Sequence, residues 1–119
     1  MALKQVFLIH SIKFVCNAIK EFAKLESVSV YDQQDLSDFG YLVDDMKPEL
    51  ILVHLDLIQS NYSIFKDQLD KLEYKHFDLV LVGQADKISN FEFKSNFKHI
   101  LEEPFNPSDI ITTMRSFLA

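Results

Sequence analysis

KPELILVHLDLI, residues 47–58, is the stretch whose reading decides the fold. Pro48 stands in a polar turn, and Leu50-Ile51-Leu52-Val53 follow as a short run of β-forming apolar residues. A strand that is apolar on both faces belongs in the middle of a parallel sheet covered by helices on each side. In such sheets, ligands and chemistry gather at the carboxyl ends of the strands. Here that end carries His54, Leu55 and Asp56.

Upstream, Val6-Phe7-Leu8-Ile9 is a second buried strand, ending at His10-Ser11. Ser11 is a candidate N-cap for a helix with Ile12, Val15, Cys16, Ile19, Phe22 and Ala23 at helical spacing. Ser27–Asp32 alternates and reads as a strand nearer the sheet edge, and Asp35 can cap a short helix bearing Leu36, Phe39, Leu42, Val43 and Met46. Gly40 inside that helix weakens it by about 1 kcal/mol. Downstream, Ile64, Phe65, Leu69 and Leu72 form a helical stripe, and Phe77–Val82 is a further apolar strand ending at Gly83-Gln84. Over Ile88–Lys98 no clean helical stripe holds, so a short or irregular helix is expected. His99-Ile100-Leu101 is a short fifth strand running into Glu102-Glu103-Pro104-Phe105. The last helix has Asn106 as cap, Pro107 at its first position and Asp109 in its first turn. Its stripe is Ile110, Ile111, Met114, Phe117 and Leu118.

Five alternations of strand and helix with short connections predict an α/β domain over residues 1–119. The sheet should be doubly wound and parallel with five strands, a flavodoxin-like (βα)5 arrangement in the order 2-1-3-4-5. The end of the chain directly after the fifth helix reads as a module at the N-terminus of a longer protein.

Composition narrows the function. A net charge of −6 with scattered lysines argues against nucleic acid as a direct partner, because phosphate contacts need clustered Lys and Arg. No apolar run reaches the roughly 18 residues that span a membrane, and no signal peptide is recognisable. Cys16 is the one cysteine, cannot form an internal disulfide and falls on the buried stripe of its helix, so a cytoplasmic location is expected. Two glycines among 119 residues exclude the Gly-rich phosphate loops.

These segments together resemble a bacterial two-component response-regulator receiver (CheY-like) domain, over essentially the whole chain. KPELILVHLDL is similar to the third strand of that family, whose last residue accepts the phosphoryl group. EEPFNPSDI resembles the Lys-Pro-Phe-x-Pro segment leading into the fifth helix, VLVGQAD the fourth strand, and VFLIHS the first strand, which normally ends in two acids. The resemblance implies a phosphorylation site made of an acidic pair for Mg²⁺, an Asp, a hydroxyl and a Lys. Phosphoryl transfer needs that metal and those cations to neutralise charge on the moving group. In this chain His10 and Ser11 stand at the acidic pair, His54 at the acceptor, Gln84 at the hydroxyl and Glu103 at the Lys, with Ile100 at the switch aromatic.

The resemblance therefore implies a degenerate receiver: a signalling module without enzymatic activity or cofactor, acting by protein contact or self-association. The implied contact surface is that of the fourth helix, fifth strand and fifth helix. Phe91, Phe93, Phe97, Phe105 and Phe117, from a total of 11 phenylalanines, cluster in that part of the chain, with core packing as the alternative use of these rings. Two other functions remain open. His10 and His54, with Asp56 or Glu103, have the composition of a two-His-one-carboxylate metal or ligand sensor. Asp56, on the face of His54 if the strand continues, is an alternative phosphoryl acceptor. A Glu102 or Glu103 carboxylate paired with a histidine would give a pH response instead.

Overall fold

The computed structural model describes residues 4–118, and for Leu118, the last residue of the expected helical stripe, the side chain lies outside the described set. Five strands, β1 (Lys4–Ile9), β2 (Val28–Gln33), β3 (Leu50–His54), β4 (Asp78–Gln84) and β5 (His99–Glu103), form one sheet. All neighbours pair in parallel, and the order is β2-β1-β3-β4-β5, as the strand pattern requires. The connecting helices are α1 (Lys13–Lys24), α2 (Phe39–Met46), α3 (Tyr62–Asp70), α4 (Ala85–Ser89) and α5 (Pro107–Leu118). Ile9 lies opposite Val53, His54 opposite Val82 and Gln84 opposite Glu103, so the carboxyl ends of four strands come out at one edge.

Every residue of β3 is buried, as an apolar run in a sheet covered on both faces must be. Its alternate side chains enter two cores. Phe7, Ile9, Ile51, Val53 and Leu81 meet Phe39, Val43, Phe65 and Ile88 from α2, α3 and α4. Val6, Leu8, Leu50, Leu52 and Val80 meet Cys16, Ile19, Ile110 and Met114 from α1 and α5. Phe39 is the anchor of the first layer. Its ring stacks on Phe7 at a centroid distance of 6.0 Å and tilts against Phe65 at 5.3 Å. Burying such a ring contributes on the order of 2–3 kcal/mol.

Local signals set the helix ends, with two departures from the pattern in the sequence. Asn106 Oδ1 accepts the Asp109 N–H at 3.1 Å while Asp109 Oδ2 accepts the Asn106 N–H at 3.0 Å, a reciprocal cap for α5. The start of α1 differs from expectation. Ile12 occupies the cap position, Ser11 is exposed and makes no cap, and the Ile12 N–H turns back to His10 Nδ1 at 3.1 Å. Asp35 is spent on a local turn, accepting from the Ser37 N–H and hydroxyl, so α2 begins only at Phe39. The irregularity expected over Ile88–Lys98 takes the form of a one-turn α4 followed by a 3₁₀ turn at Lys94–Asn96.

Candidate functional site

Three side chains converge at the carboxyl edge. His10 follows the last residue of β1, with its N–H on Gln33 O at 3.0 Å, and its side chain is fully buried. His54 ends β3, the neighbour of β1, which brings the two imidazole centroids to 4.3 Å. Glu103 ends β5 and reaches across the end of β4 to both rings. One carboxylate oxygen lies 3.1 Å from His10 Nε2 and the other 2.7 Å from His54 Nε2.

The backbone fixes which nitrogen carries each proton. Nδ1 of His10 faces the Ile12 N–H at 3.1 Å, and Nδ1 of His54 faces the Asp56 N–H at 3.1 Å. A backbone N–H only donates, so both Nδ1 atoms are acceptors and both protons sit on Nε2. Each histidine then donates to its own oxygen of Glu103. The cluster is two neutral imidazoles clamped on one carboxylate, with a net charge of one negative unit.

Electrostatics agree with that assignment. Burial pushes the His10 pKa below its ordinary 6.5; the hydrogen bond to Glu103 acts the other way and does not overcome it. Burial alone would raise the Glu103 pKa, but the hydrogen bonds from His10 and His54 outweigh it and hold the carboxyl below its ordinary 4.5. No lysine or arginine among the described residues pairs with Glu103; Lys13 and Lys20 are drawn to Asp32, and Lys87 to Asp56.

The atoms of His10, His54 and Glu103 that face one another lie within 4.8 Å, close enough to share an ion. The proton pattern opposes it. A histidine bound to metal through Nε2 keeps its proton on Nδ1 and donates it to a carboxylate or carbonyl. Here that proton would meet a second donor, the Ile12 or Asp56 N–H, in both rings at once. The arrangement is built as a hydrogen-bond clamp rather than as a metal cage.

The remaining sequence candidates are dispersed. The strand does not continue through Asp56. The chain enters a 3₁₀ turn at Leu55–Leu57, and the Asp56 carboxylate is half exposed, 3.7 Å from Lys87 Nζ. Its 3.8 Å approach to His54 Nδ1 is no ion pair, because that nitrogen holds no proton. Gln84 is exposed beside Glu103 at the end of β4, and Ser11 is exposed in the β1–α1 loop. The phenylalanines do not form one exposed patch: Phe91 and Phe97 are buried in the core, and Phe93 stacks on Tyr62 at 4.2 Å. Phe93 is half-buried in that stack, and Phe105 and Phe117 are half-buried on the α1–α5 side. The large exposed apolar side chains among the described residues are Ile12, Phe14, Leu25, Tyr31, Tyr41 and Ile64; the helical spacing put Ile12 and Ile64 on apolar stripes, but both lie at the solvent-facing margin of their helices. The clamp itself was readable in part: a histidine closes each of two neighbouring apolar strands, and Glu103, expected to pair with one of them, pairs with both.

The same sheet, with the same edge, occurs in solved structures. The chain superposes on a response regulator receiver (CheY-like) domain from Methylobacillus flagellatus with a TM-score of 0.81 at 15% identity, over 97% of this chain and 98% of that one. A signal receiver domain of a response regulator from Bermanella marisrubri gives 0.81 at 15% identity, over 98% and 99%. An orphan response regulator of H. pylori gives 0.75 at 14% identity, over 99% and 98%. This is a receiver fold. No family model matches the sequence, and no curated protein does. At such identities the likeness shows the receiver fold alone, and the clamp occupies the edge where the sequence pattern places receiver chemistry.

Proposed function

We propose that this protein is a receiver-like signalling module that works without phosphorylation, through contact with a protein partner or a second copy of itself, in the cytoplasm and without catalytic activity or cofactor. The observation that carries this reading is the His10–Glu103–His54 clamp. A phosphoryl group needs a metal and cations around it. At this edge it would meet a partly buried carboxylate and two neutral rings with their protons already committed. Asp56 stands outside the clamp beside Lys87, and among the described residues it belongs to no cluster of side chains that could hold a metal. The surface of α4, β5 and α5 remains the expected contact face, where the half-buried Phe117 ring lies 5.6 Å from that of His99 in β5.

Amide NMR with Mg²⁺ and then beryllofluoride, a phosphoryl mimic, tests this. The expected spectrum is unchanged at His10, His54, Asp56 and Glu103. Saturable shifts centred on Asp56 that need both Mg²⁺ and beryllofluoride would show a working phospho-switch and overturn the proposal.

A further inference from the structure

Beside the clamp lies a groove of about 460 Å³ between the first turn of α1 and the segment after β5, and nothing above assigns it a use. Its walls are apolar: Phe14, Val15 and Ala18 on one side, Pro104 and Phe105 on the other. Glu103, one-fifth exposed, and Gln84 close one end. The volume falls within the range of small-molecule sites, which combine an apolar lining with few convergent polar groups.

The end of the groove is chemically unfinished. A carboxylate offers about four lone-pair positions, and the two histidines fill one on each oxygen. Glu103 thus keeps acceptor capacity and a negative charge that no lysine or arginine among the described residues pairs with, while Lys13 and Lys20 serve Asp32 and Lys87 serves Asp56. A partly buried charge without a counter-ion still carries a desolvation cost. A divalent ion is a poor answer, since hard cations collect several oxygen ligands and only one carboxylate faces the groove. An ammonium is a good one: it donates to the free lone pairs of Glu103 and sits among phenyl rings that attract cations through their faces.

We propose that this groove is a binding site for small organic amines, with the ammonium on Glu103 and an aromatic or branched alkyl body between Phe14 and Phe105. This goes beyond the signalling reading, and its failure leaves that reading standing. Phe14 is 81% exposed, so the groove supplies a large apolar surface that the fold itself does not use.

The experiment is an amide NMR titration of the whole chain with phenethylamine at neutral pH, repeated with phenethyl alcohol, which has the same body without the charge. The expected result is saturable shifts at Phe14, Ala18, Glu103 and Phe105, with the alcohol weaker by a factor of about ten, as expected for a hydrogen bond to a charged group. Phe14→Ala removes an exposed ring, leaves the fold intact and should weaken the amine severalfold. Glu103→Gln should erase the preference for amine over alcohol; should that variant not fold, the Phe14→Ala and alcohol comparisons decide alone. No saturable shift, equal affinity for amine and alcohol, or shifts that ignore Phe14→Ala would each overturn the proposal.

Discussion

Glu103 accepts one N–H from each of two histidines, and this single residue determines how the edge responds to protons. A histidine next to a carboxylate is usually expected to gain a proton and to stabilise a protein as pH falls. In His10 the balance is reversed, because full burial costs its charged form more than Glu103 returns. The sign follows by linkage. The folded pKa lies below 6.5, so the unfolded chain binds the proton first on acidification. Stability is therefore complete above pH 6.5 and falls as pH drops from there through the lowered folded value. Protonation also places a hydrogen on Nδ1, against the Ile12 N–H. Urea midpoints measured across this window should decline toward acid, and His10→Asn, which can still accept from Ile12, should flatten the decline. A midpoint that rises on acidification would mean that His10 is a cation in the folded state. The sequence placed His10, His54 and Glu103 at strand ends by motif spacing alone. It could not show the clamp, because which nitrogen bears a proton depends on two backbone N–H groups that only the folded turns bring into position.

At the scale of elements, what the sequence reveals divides by physical cause. Strands that are apolar on both faces are legible because nothing but a two-sided core tolerates them, and β1, β3 and β4 lie where the runs are. Phenylalanine carries no such address. A ring serves a core or an interface equally well, and Phe91, Phe93 and Phe97 went to the core around Tyr62 and Phe65 once α4 was cut to one turn. The two glycines are likewise alike in sequence and opposite in structure. Gly40 lies in α2 with no atom within 4 Å of an added Cβ, so Gly40→Ala should stabilise by about 0.5–1 kcal/mol through backbone entropy. A Cβ on Gly83 would lie 3.2 Å from the Leu55 Cβ and 3.5 Å from Ile88 Cγ1, pressing on both the turn after β3 and α4. Gly83→Ala should cost about 1–3 kcal/mol, as overpacked cores do. Thermal melts of the two variants should move in opposite directions; equal shifts would mean that α4 yields freely.

Across the whole molecule, the clamp and the irregular region rest on different supports. His10 and His54 extend from β1 and β3, whose apolar residues are almost without exposure and which pair with each other and with β2 and β4. Their amides can open only when the whole sheet does. The stretch from Ala85 to Lys98 holds a five-residue helix and a single 3₁₀ turn, too short to be stable alone and tied down mainly by Ile88, Phe91 and Phe97. Hydrogen exchange should therefore separate the two. Amides of Val6–Ile9 and Leu50–His54 should be protected to the full unfolding free energy, and those of residues 85–98 should exchange orders of magnitude faster through local opening. Uniform protection would make the molecule one cooperative unit and α4 as firm as the sheet. The difference bears on the proposed role. A switch needs its site on an element with two accessible arrangements. In this chain two of the three clamp residues stand on the most secure strands, while the loosely held segment carries none of them. A site so placed is set once, on folding, which is the arrangement the proposed role without phosphorylation calls for.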